Sequence, residues 1–131
     1  MADTAGVKRT GRRLEHPQAG EIRVDAVLHA LADPIRLRIV RELSDGHDDM
    51  ACIAFALPVS KSTSTHHFRV LREAGIIRQY YAGTSRMSRL RTEDLEVRMP
   101  GLLGAVLNAA RIAEGDDTAA GTEPVPAGGG R

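Results

Sequence analysis

The chain has 131 residues, of which 42% are hydrophobic and only 3% aromatic, and its formal net charge is +1 at pH 7. This length is that of one domain. The scarcity of aromatic side chains predicts an aliphatic core and argues against surfaces that stack bases or sugars on aromatic rings. The single cysteine excludes an internal disulfide and any multi-cysteine zinc site within one chain.

The N-terminal sequence is polar and contains no secretory signal. No run of residues approaches the ~18 consecutive apolar positions of a membrane span. We therefore expect a soluble, cytoplasmic protein without a membrane partner.

The charges are distributed unevenly along the chain. Residues 60–91 carry seven Lys and Arg against a single Glu, whereas residues 24–59 and 92–131 are each acidic on balance. Such clustering is the electrostatic footprint of a protein that binds a polyanion. A basic run is equally often a solvated surface without a partner, so charge alone leaves both interpretations open.

Composition divides the chain into an arm, a domain and a tail. Residues 1–20 lack apolar periodicity and contain several Lys and Arg, which predicts a flexible basic N-terminal arm. Residues 114–131 are rich in Gly, Pro, Ala and acidic side chains, which predicts a disordered tail. The folded domain is then expected over 21–113.

The first half of this domain is predicted to be helical. Apolar residues at helical spacing predict a first helix over 22–32. Asp33 is a suitable N-cap and Pro34 suits the first helical position, so a second helix is predicted over 34–44, with Arg36 on its outer face. A short third helix is predicted over 49–57.

The fourth predicted helix differs in kind from the others. It follows a tight turn at Pro58 and Val59, is capped by Ser60, and covers 61–73. Its opening turns are polar throughout, with the residues Lys61, Ser62, Thr63, Ser64, Thr65, His66 and His67. Such a run is poorly suited to a core and well suited to presenting hydrogen-bonding groups to a partner surface.

Two strands follow, over 76–81 and 86–90, and the Gly-containing turn between them predicts a β-hairpin. Thr92 then begins a helical region that Pro100 should break and that continues as an amphipathic helix to about 113. The expected fold is therefore mainly α with a small β-hairpin wing, in the order α-α-α-α-β-β-α. This order is that of a winged helix-turn-helix, and its recognition helix and wing coincide with the basic stretch. Position and charge together predict binding of double-stranded DNA.

Three segments carry a resemblance to a known family. HALADPIRLRIVRELSDG (29–46), VSKSTSTHHFRVLREAGII (59–77) and RQYYAGTSRMSRLR (78–91) resemble the arsenical-repressor (ArsR/SmtB) family of bacterial regulators. The resemblance covers about 24–108. It implies a homodimer held together by the first and last helices, which binds an imperfect palindromic operator and represses transcription by blocking a promoter.

The resemblance and the hairpin together suggest site residues. By position, the family implies recognition-helix contacts with DNA at Lys61, Ser62, Thr63, Thr65 and His66, and a backbone contact at Arg69. The hairpin adds Arg86 and Arg89, which suit phosphates or the minor groove. The resemblance implies a dimer interface formed by the first and last helices, which we expect at Val27, Leu28, Leu102, Leu103, Val106 and Leu107. The apolar stripe over 102–112 could instead be ordinary core.

The sequence departs from the family where many members bind metal. The expected Cys-x-Cys pair is replaced by residues 50–53, with Cys52 alone, and the last helix contains no His. We therefore predict no metal site and no cofactor, and the sequence defines no inducer. His66 and His67 cannot easily share one ion, because adjacent helical residues point ~100° apart. His66 is expected to contact DNA and His67 to pack or hydrogen-bond.

Three alternatives remain at this point. Cys52 could be a redox-sensing thiol of a responsive repressor, although a small buried residue is the simpler interpretation. His47, Asp48, Asp49 and Cys52 could form a zinc site, although helix capping accounts for the acids. The winged helix could also serve as a protein-interaction module. An enzyme is not expected, since no Gly-x-Ser-x-Gly elbow is present and the histidines lie in the recognition helix or in loops.

Overall fold

A computed structural model describes residues 14–46 and 49–119, with side chains described as far as residue 115. It contains five α-helices and three β-strands. The helices are α1 (Val24–Leu31), α2 (Pro34–Gly46), α3 (Lys61–Glu73), α4 (Thr92–Arg98) and α5 (Leu102–Ala119). The strands are β1 (Met50–Ala51), β2 (Ile77–Ala82) and β3 (Ser85–Leu90). None of the described helices has the length and apolar character needed to cross a membrane.

The wing is a hairpin of β2 and β3, whose register runs from Ile77 opposite Leu90 to Ala82 opposite Ser85. β1 pairs antiparallel with the other edge of β3, so that β3 lies at the centre of the sheet. Gly83 in the turn has a φ of +66°, a conformation that glycine adopts without a steric cost. The predicted winged-helix fold is confirmed.

The prediction of a third helix over 49–57 is wrong. Residues 50–51 form β1 and Cys52–Ala54 form a single 3-10 turn. Ile53 is 92% exposed, while Phe55 is buried and packs edge-on against Phe68 with ring centroids 5.3 Å apart. A segment of this length allows only two helical turns, too few to repay helix nucleation. Pairing with the open edge of β3 satisfies the backbone instead.

The last helical region is divided as Pro100 predicts. α4 ends at Arg98, and α5 begins at Leu102 after Gly101, which has a φ of +81°. However, α5 continues to Ala119, beyond the predicted end near 113, so residues 114–119 belong to a helix rather than to a tail. An ion pair between Arg41 and Glu114, 2.6 Å long, joins this extension to α2. Residues 120–131 of the predicted tail lie outside the described residues.

The predicted N-terminal arm is also corrected in part. Its first 13 residues lie outside the described residues, but the segment from 14 onward contacts the domain. The backbone carbonyl of Pro17 accepts a hydrogen bond of 2.8 Å from Arg91, and a 3-10 turn at Ala19–Glu21 leads to Ile22, which is 1% exposed. These contacts order the end of the arm because they satisfy a buried guanidinium and fill the core.

Half of the residues predicted to form the dimer interface lie in the core of the protomer. Val27, Leu103 and Leu107 are only 2%, 8% and 4% exposed. The first and last helices turn these positions inward, where they join the aliphatic core that the composition predicts. Leu28 is 47% exposed, and Leu102 and Val106 are partly buried against the same core.

Gly75 provides a test of how tightly the N-terminal segment packs. Its φ is +88°, and a Cβ atom there would lie 2.5 Å from Cγ1 of Ile22. Gly83 also has a positive φ, but its added Cβ would have no neighbour within 4 Å among the described residues. Gly83→Ala should therefore lower the free energy of unfolding by only about 1–2 kcal/mol, the cost of holding a residue with a Cβ in the left-handed conformation. Gly75→Ala should cost clearly more, measured as the free energy of unfolding in urea. Equal losses would mean that Ile22 does not pack against this turn in solution.

Candidate nucleic-acid interface

Helix α3 begins where the sequence predicts. The side chain of Ser60 accepts a hydrogen bond of 3.2 Å from the backbone N–H of Thr63, which caps the first turn. All six predicted contact residues of this helix are exposed, namely Lys61, Ser62, Thr63, Thr65, His66 and Arg69. Phe68 and Leu71 on the opposite face are buried in the core. The helix therefore presents one polar face to solvent from a fixed position.

A buried arginine holds the inner side of α3. Arg36 is only 8% exposed, and its guanidinium lies 3.2 Å from Nδ1 of His67. Its Nε donates a hydrogen bond of 2.8 Å to the carbonyl of Ala30, one of the unsatisfied carbonyls at the end of α1. The expectation that Arg36 faces outward is therefore wrong. Its guanidinium is buried because α1 and α3 supply it with acceptors.

His67 has the packing and hydrogen-bonding role predicted for it. Burial lowers the pKa of its imidazole, although the carboxylate of Asp33, 3.9 Å away, acts in the opposite direction. The neutral ring can accept a hydrogen bond at Nδ1 from Arg36. Asp33 in turn accepts the backbone N–H groups of Ile35 and Arg36 and so caps α2 as predicted.

One face of the wing hairpin lies toward the domain. Gln79 on β2 and Ser88 on β3 are opposite one another on this face, and they are 2% and 0% exposed. Arg86 lies on the same face, opposite Tyr81. Its Nη2 donates to the Tyr81 hydroxyl at 2.5 Å, and its guanidinium lies 5.2 Å from the centre of the Tyr81 ring. The tyrosine therefore restricts the arginine to one side of the wing.

The other face of the wing carries Arg89, which the structure does not bring together with Arg86. Arg89 lies opposite Arg78, and its Nε is 3.4 Å from a carboxylate oxygen of Asp49. Arg78 and Arg91 both pair with Asp94, at 4.0 and 2.9 Å. Together with the ends of α2 and α4, these ion pairs line a cavity of about 570 Å³.

Gln79 is a site residue that the sequence analysis did not single out. Its amide Nε2 donates to Ser88 Oγ at 3.1 Å and to Cys52 Sγ at 3.5 Å, while its Oε1 accepts from Arg72 Nη1 at 2.7 Å. Its backbone N–H donates to Nε2 of His16 at 2.8 Å. The side-chain amide of Gln79 therefore links the wing to α3, and its backbone N–H links the wing to the N-terminal segment. The only signal in the sequence is a polar residue at an inward position of an alternating strand.

The surroundings of Cys52 do not activate its thiol. Cys52 is partly buried, and burial raises its pKa, whereas a reactive cysteine requires a lowered one. Over residues 14–46 and 49–119, no group of three or more His, Cys, Asp or Glu side chains is arranged to hold a metal ion. His47 and Asp48, which the zinc alternative requires, lie outside the described residues.

Residues 33–79, from the cap of α2 to the middle of β2, match the family model described as bacterial regulatory protein, arsR family. The predicted resemblance to this family is confirmed, and the protein is a DNA-binding transcriptional regulator rather than an enzyme. The roles of individual site residues remain predictions.

One curated protein and two solved structures are similar to this chain. The chain is 29% identical over 79 residues to an uncharacterized HTH-type transcriptional regulator, YceK of Bacillus subtilis (strain 168), covering 59% of this chain and 79% of that protein. The crystal structure of an ArsR family transcriptional regulator is 21% identical and covers 72% of this chain and 93% of that chain, with a TM-score of 0.51, which supports the fold. An ArsR-like transcriptional regulator from Rhodococcus sp. RHA1 is 27% identical over 72% of this chain and 91% of that chain, with a TM-score of 0.49.

The lowered pKa of His16 predicts how the stability of the protein depends on pH. Burial, together with the charges of Arg78, Arg72 and Arg91, lowers the pKa of His16 from 6.5 to about 4. Between these values the unfolded chain binds a proton that the folded chain does not, so stability is lost as the pH falls from 6.5 toward 4. His16→Gln retains an acceptor for the N–H of Gln79 but does not titrate. We expect His16→Gln to lose less stability than the native chain as the pH falls over this range.

Urea unfolding at pH 7 and pH 4.5 measures this difference. His29→Gln, which removes an imidazole from the exposed side of α1, is the matched control and should retain the native pH dependence. If His16→Gln loses as much stability as the native chain, the imidazole of His16 does not dock on β2.

Proposed function

We propose that this protein is a homodimeric repressor that binds a palindromic operator and blocks the promoter. The two copies of α3 would enter successive major grooves, about 34 Å apart along the DNA. The observation that carries this proposal is the exposed polar face of α3, which is capped, held from behind by a buried cluster, and flanked by an arginine of the wing. We place this activity in the cytoplasm, where the DNA lies.

The residues of α3 divide into two roles under this proposal. Lys61, Ser62, Thr63, Thr65 and His66 lie in the first half of the helix, and we assign them to base edges, because short polar side chains can approach the groove floor closely. Arg69, one turn further along, and Arg86 of the wing are assigned to backbone phosphates, which supply affinity but no sequence information. Arg89 is turned to the other face of the wing and is engaged with Asp49.

The dimer is supported by apolar side chains that the protomer leaves uncovered. On α1, Val24 and Leu28 are 49% and 47% exposed and are four residues apart, so they share one face. On α5, Ile112 is 55% exposed, and Leu102 and Val106 are only partly buried. A second copy related by two-fold symmetry would cover these faces and would place the two recognition helices symmetrically.

A salt titration tests the function directly. The protein is titrated onto the DNA upstream of its own coding sequence and onto unrelated DNA of equal length, while sedimentation equilibrium gives its oligomeric state. We expect a dimer that binds the upstream DNA at least about 10³-fold more tightly, with log K falling linearly as log salt rises. Equal, weak binding to both DNAs would overturn the repressor proposal and favour a protein partner for the basic surface.

Two substitutions separate affinity from selectivity. Arg86→Ala should weaken binding to all DNA sequences similarly and reduce the slope of log K against log salt by about 0.9, since one phosphate contact is lost. Thr63→Ala should leave that slope unchanged and alter the preferred sequence in a binding-site selection. A selective loss in the arginine variant, or an unchanged preference in the threonine variant, would contradict the assigned role.

A further inference from the structure

The cations of residues 60–91 divide into two groups. Arg78, Arg89 and Arg91 each form an ion pair with an aspartate. In the part of the chain that the structure describes, the remaining four form no ion pair with Asp or Glu within 4.0 Å; these are Lys61, Arg69, Arg72 and Arg86. The uncompensated charge therefore lies on α3 and on the side of the wing that carries Arg86.

Arg72 occupies the joint between these two elements. It lies three residues after Arg69 on α3, a spacing that places the two side chains on neighbouring positions of the helix surface. Its Nη1 donates to Oε1 of Gln79 on the wing at 2.7 Å. Its Nε is buried and has no hydrogen-bond partner among residues 14–46 and 49–119. The guanidinium is thus fixed at one nitrogen and incompletely satisfied at another.

The electrostatics of this joint are unfavourable for the protein alone. Burial lowers the pKa of the Arg72 guanidinium, and the positive charges of Arg86 and Arg69 lower it further, while Glu73 opposes them only in part. Like charges held together without a carboxylate repel one another. A bound anion would neutralise these charges.

The side chains of the joint are also held in place before any anion binds. The buried amide of Gln79 is fixed by Ser88 and Cys52 and holds Arg72, and Tyr81 holds Arg86 through its hydroxyl and its ring. Fixing long arginine side chains in advance reduces the entropy that binding would otherwise cost. This is the arrangement of a binding site rather than of a solvated surface.

We propose that Arg69, Arg72 and Arg86 form a phosphate-binding cluster at the joint of α3 and the wing, in which Gln79 positions Arg72 on a single backbone phosphate of DNA. The proposal rests on the proposed function and adds Arg72 and Gln79 to its site. Arginine suits this position because its planar guanidinium can bind Gln79 with one edge and present other N–H groups to the phosphate. The contact fixes the register of the protein on DNA and carries no sequence information.

The test uses the full-length chain and three variants. Arg72→Gln removes the charge and keeps an amide donor near Gln79, so that folding is preserved, which thermal unfolding checks. Arg72→Lys keeps the charge but cannot bind both partners in the same way. Arg78→Gln is the matched control on the opposite face of the wing. Affinity for the upstream DNA and for unrelated DNA is measured over a range of salt concentrations.

Arg72→Gln should weaken binding to both DNAs by a similar factor, about tenfold, and reduce the slope of log K against log salt by about 0.9. Arg72→Lys should retain the native slope with an intermediate affinity. Arg78→Gln should behave as the native chain. A native slope and affinity in Arg72→Gln would overturn the cluster.

A scan of the operator with single neutral methylphosphonates tests the pairing itself and does not depend on protein stability. At one position, removal of the phosphate charge should weaken the native protein clearly more than it weakens Arg72→Gln, which retains only Arg69 and Arg86 at that phosphate. Equal sensitivity of both proteins at every position would overturn the cluster, even if the native protein selects its operator. Failure of the native protein to select its own upstream DNA would instead overturn the proposed function.

Discussion

The guanidinium of Arg36 joins three helices, and the position of the recognition helix depends on it. It projects from α2, donates to the carbonyl of Ala30 at the end of α1, and lies against His67 on the inner side of α3. A buried cation is tolerated only when its donors are satisfied, since an unpaired charge inside a protein costs several kcal/mol. The burial of Arg36 and the arrangement of the helices therefore depend on one another. The helices must be in place to satisfy Arg36, and Arg36 fixes where they meet.

The polar face of α3 has a defined direction because of this buried cluster. Phe68 and Leu71 supply apolar contact, which is favourable in many relative orientations. The hydrogen bond between Arg36 and His67 is directional and selects one of them. A helix that reads a DNA groove requires such a fixed direction, because its side chains must meet base edges to within a fraction of an ångström.

The wing adds a second constraint, based on charge. Cross-strand register puts Arg86 and Arg89 on opposite faces, so that Arg86 packs against Tyr81 while Arg89 pairs with Asp49. The side-chain amide of Gln79 joins the wing to α3, and the backbone N–H of the same residue donates to His16 of the N-terminal segment. Recognition helix, wing and N-terminal segment therefore meet at one residue, and the charged surface depends on these contacts as well as on the basic sequence.

Local chemistry in the sequence was sufficient for the elements whose signals are short-range. The caps at Asp33 and Ser60, the hairpin turn with Gly83, the break at Pro100 and the inward and outward faces of α3 all follow from contacts within a few residues, and the family resemblance covers the same region. Residues 49–57 were misassigned because their helical spacing competes with a β3 edge that is distant in sequence. Val27, Leu103 and Leu107, predicted at an interface, pack in the core of the protomer, because an apolar stripe does not say whether it meets its own chain or another.

The sequence by itself determined that the chain forms a winged helix-turn-helix, where its recognition helix begins and which polar side chains that helix exposes, because capping, periodicity and turn chemistry are local. Only the tertiary structure decided that Arg36 is buried, that Gln79 connects the wing to α3, and that Arg72 rather than Arg89 lies beside Arg69 and Arg86. Each of these depends on residues far apart in the chain coming within a few ångströms. Charge and hydrogen bonding act over such distances, which the linear order of residues does not specify.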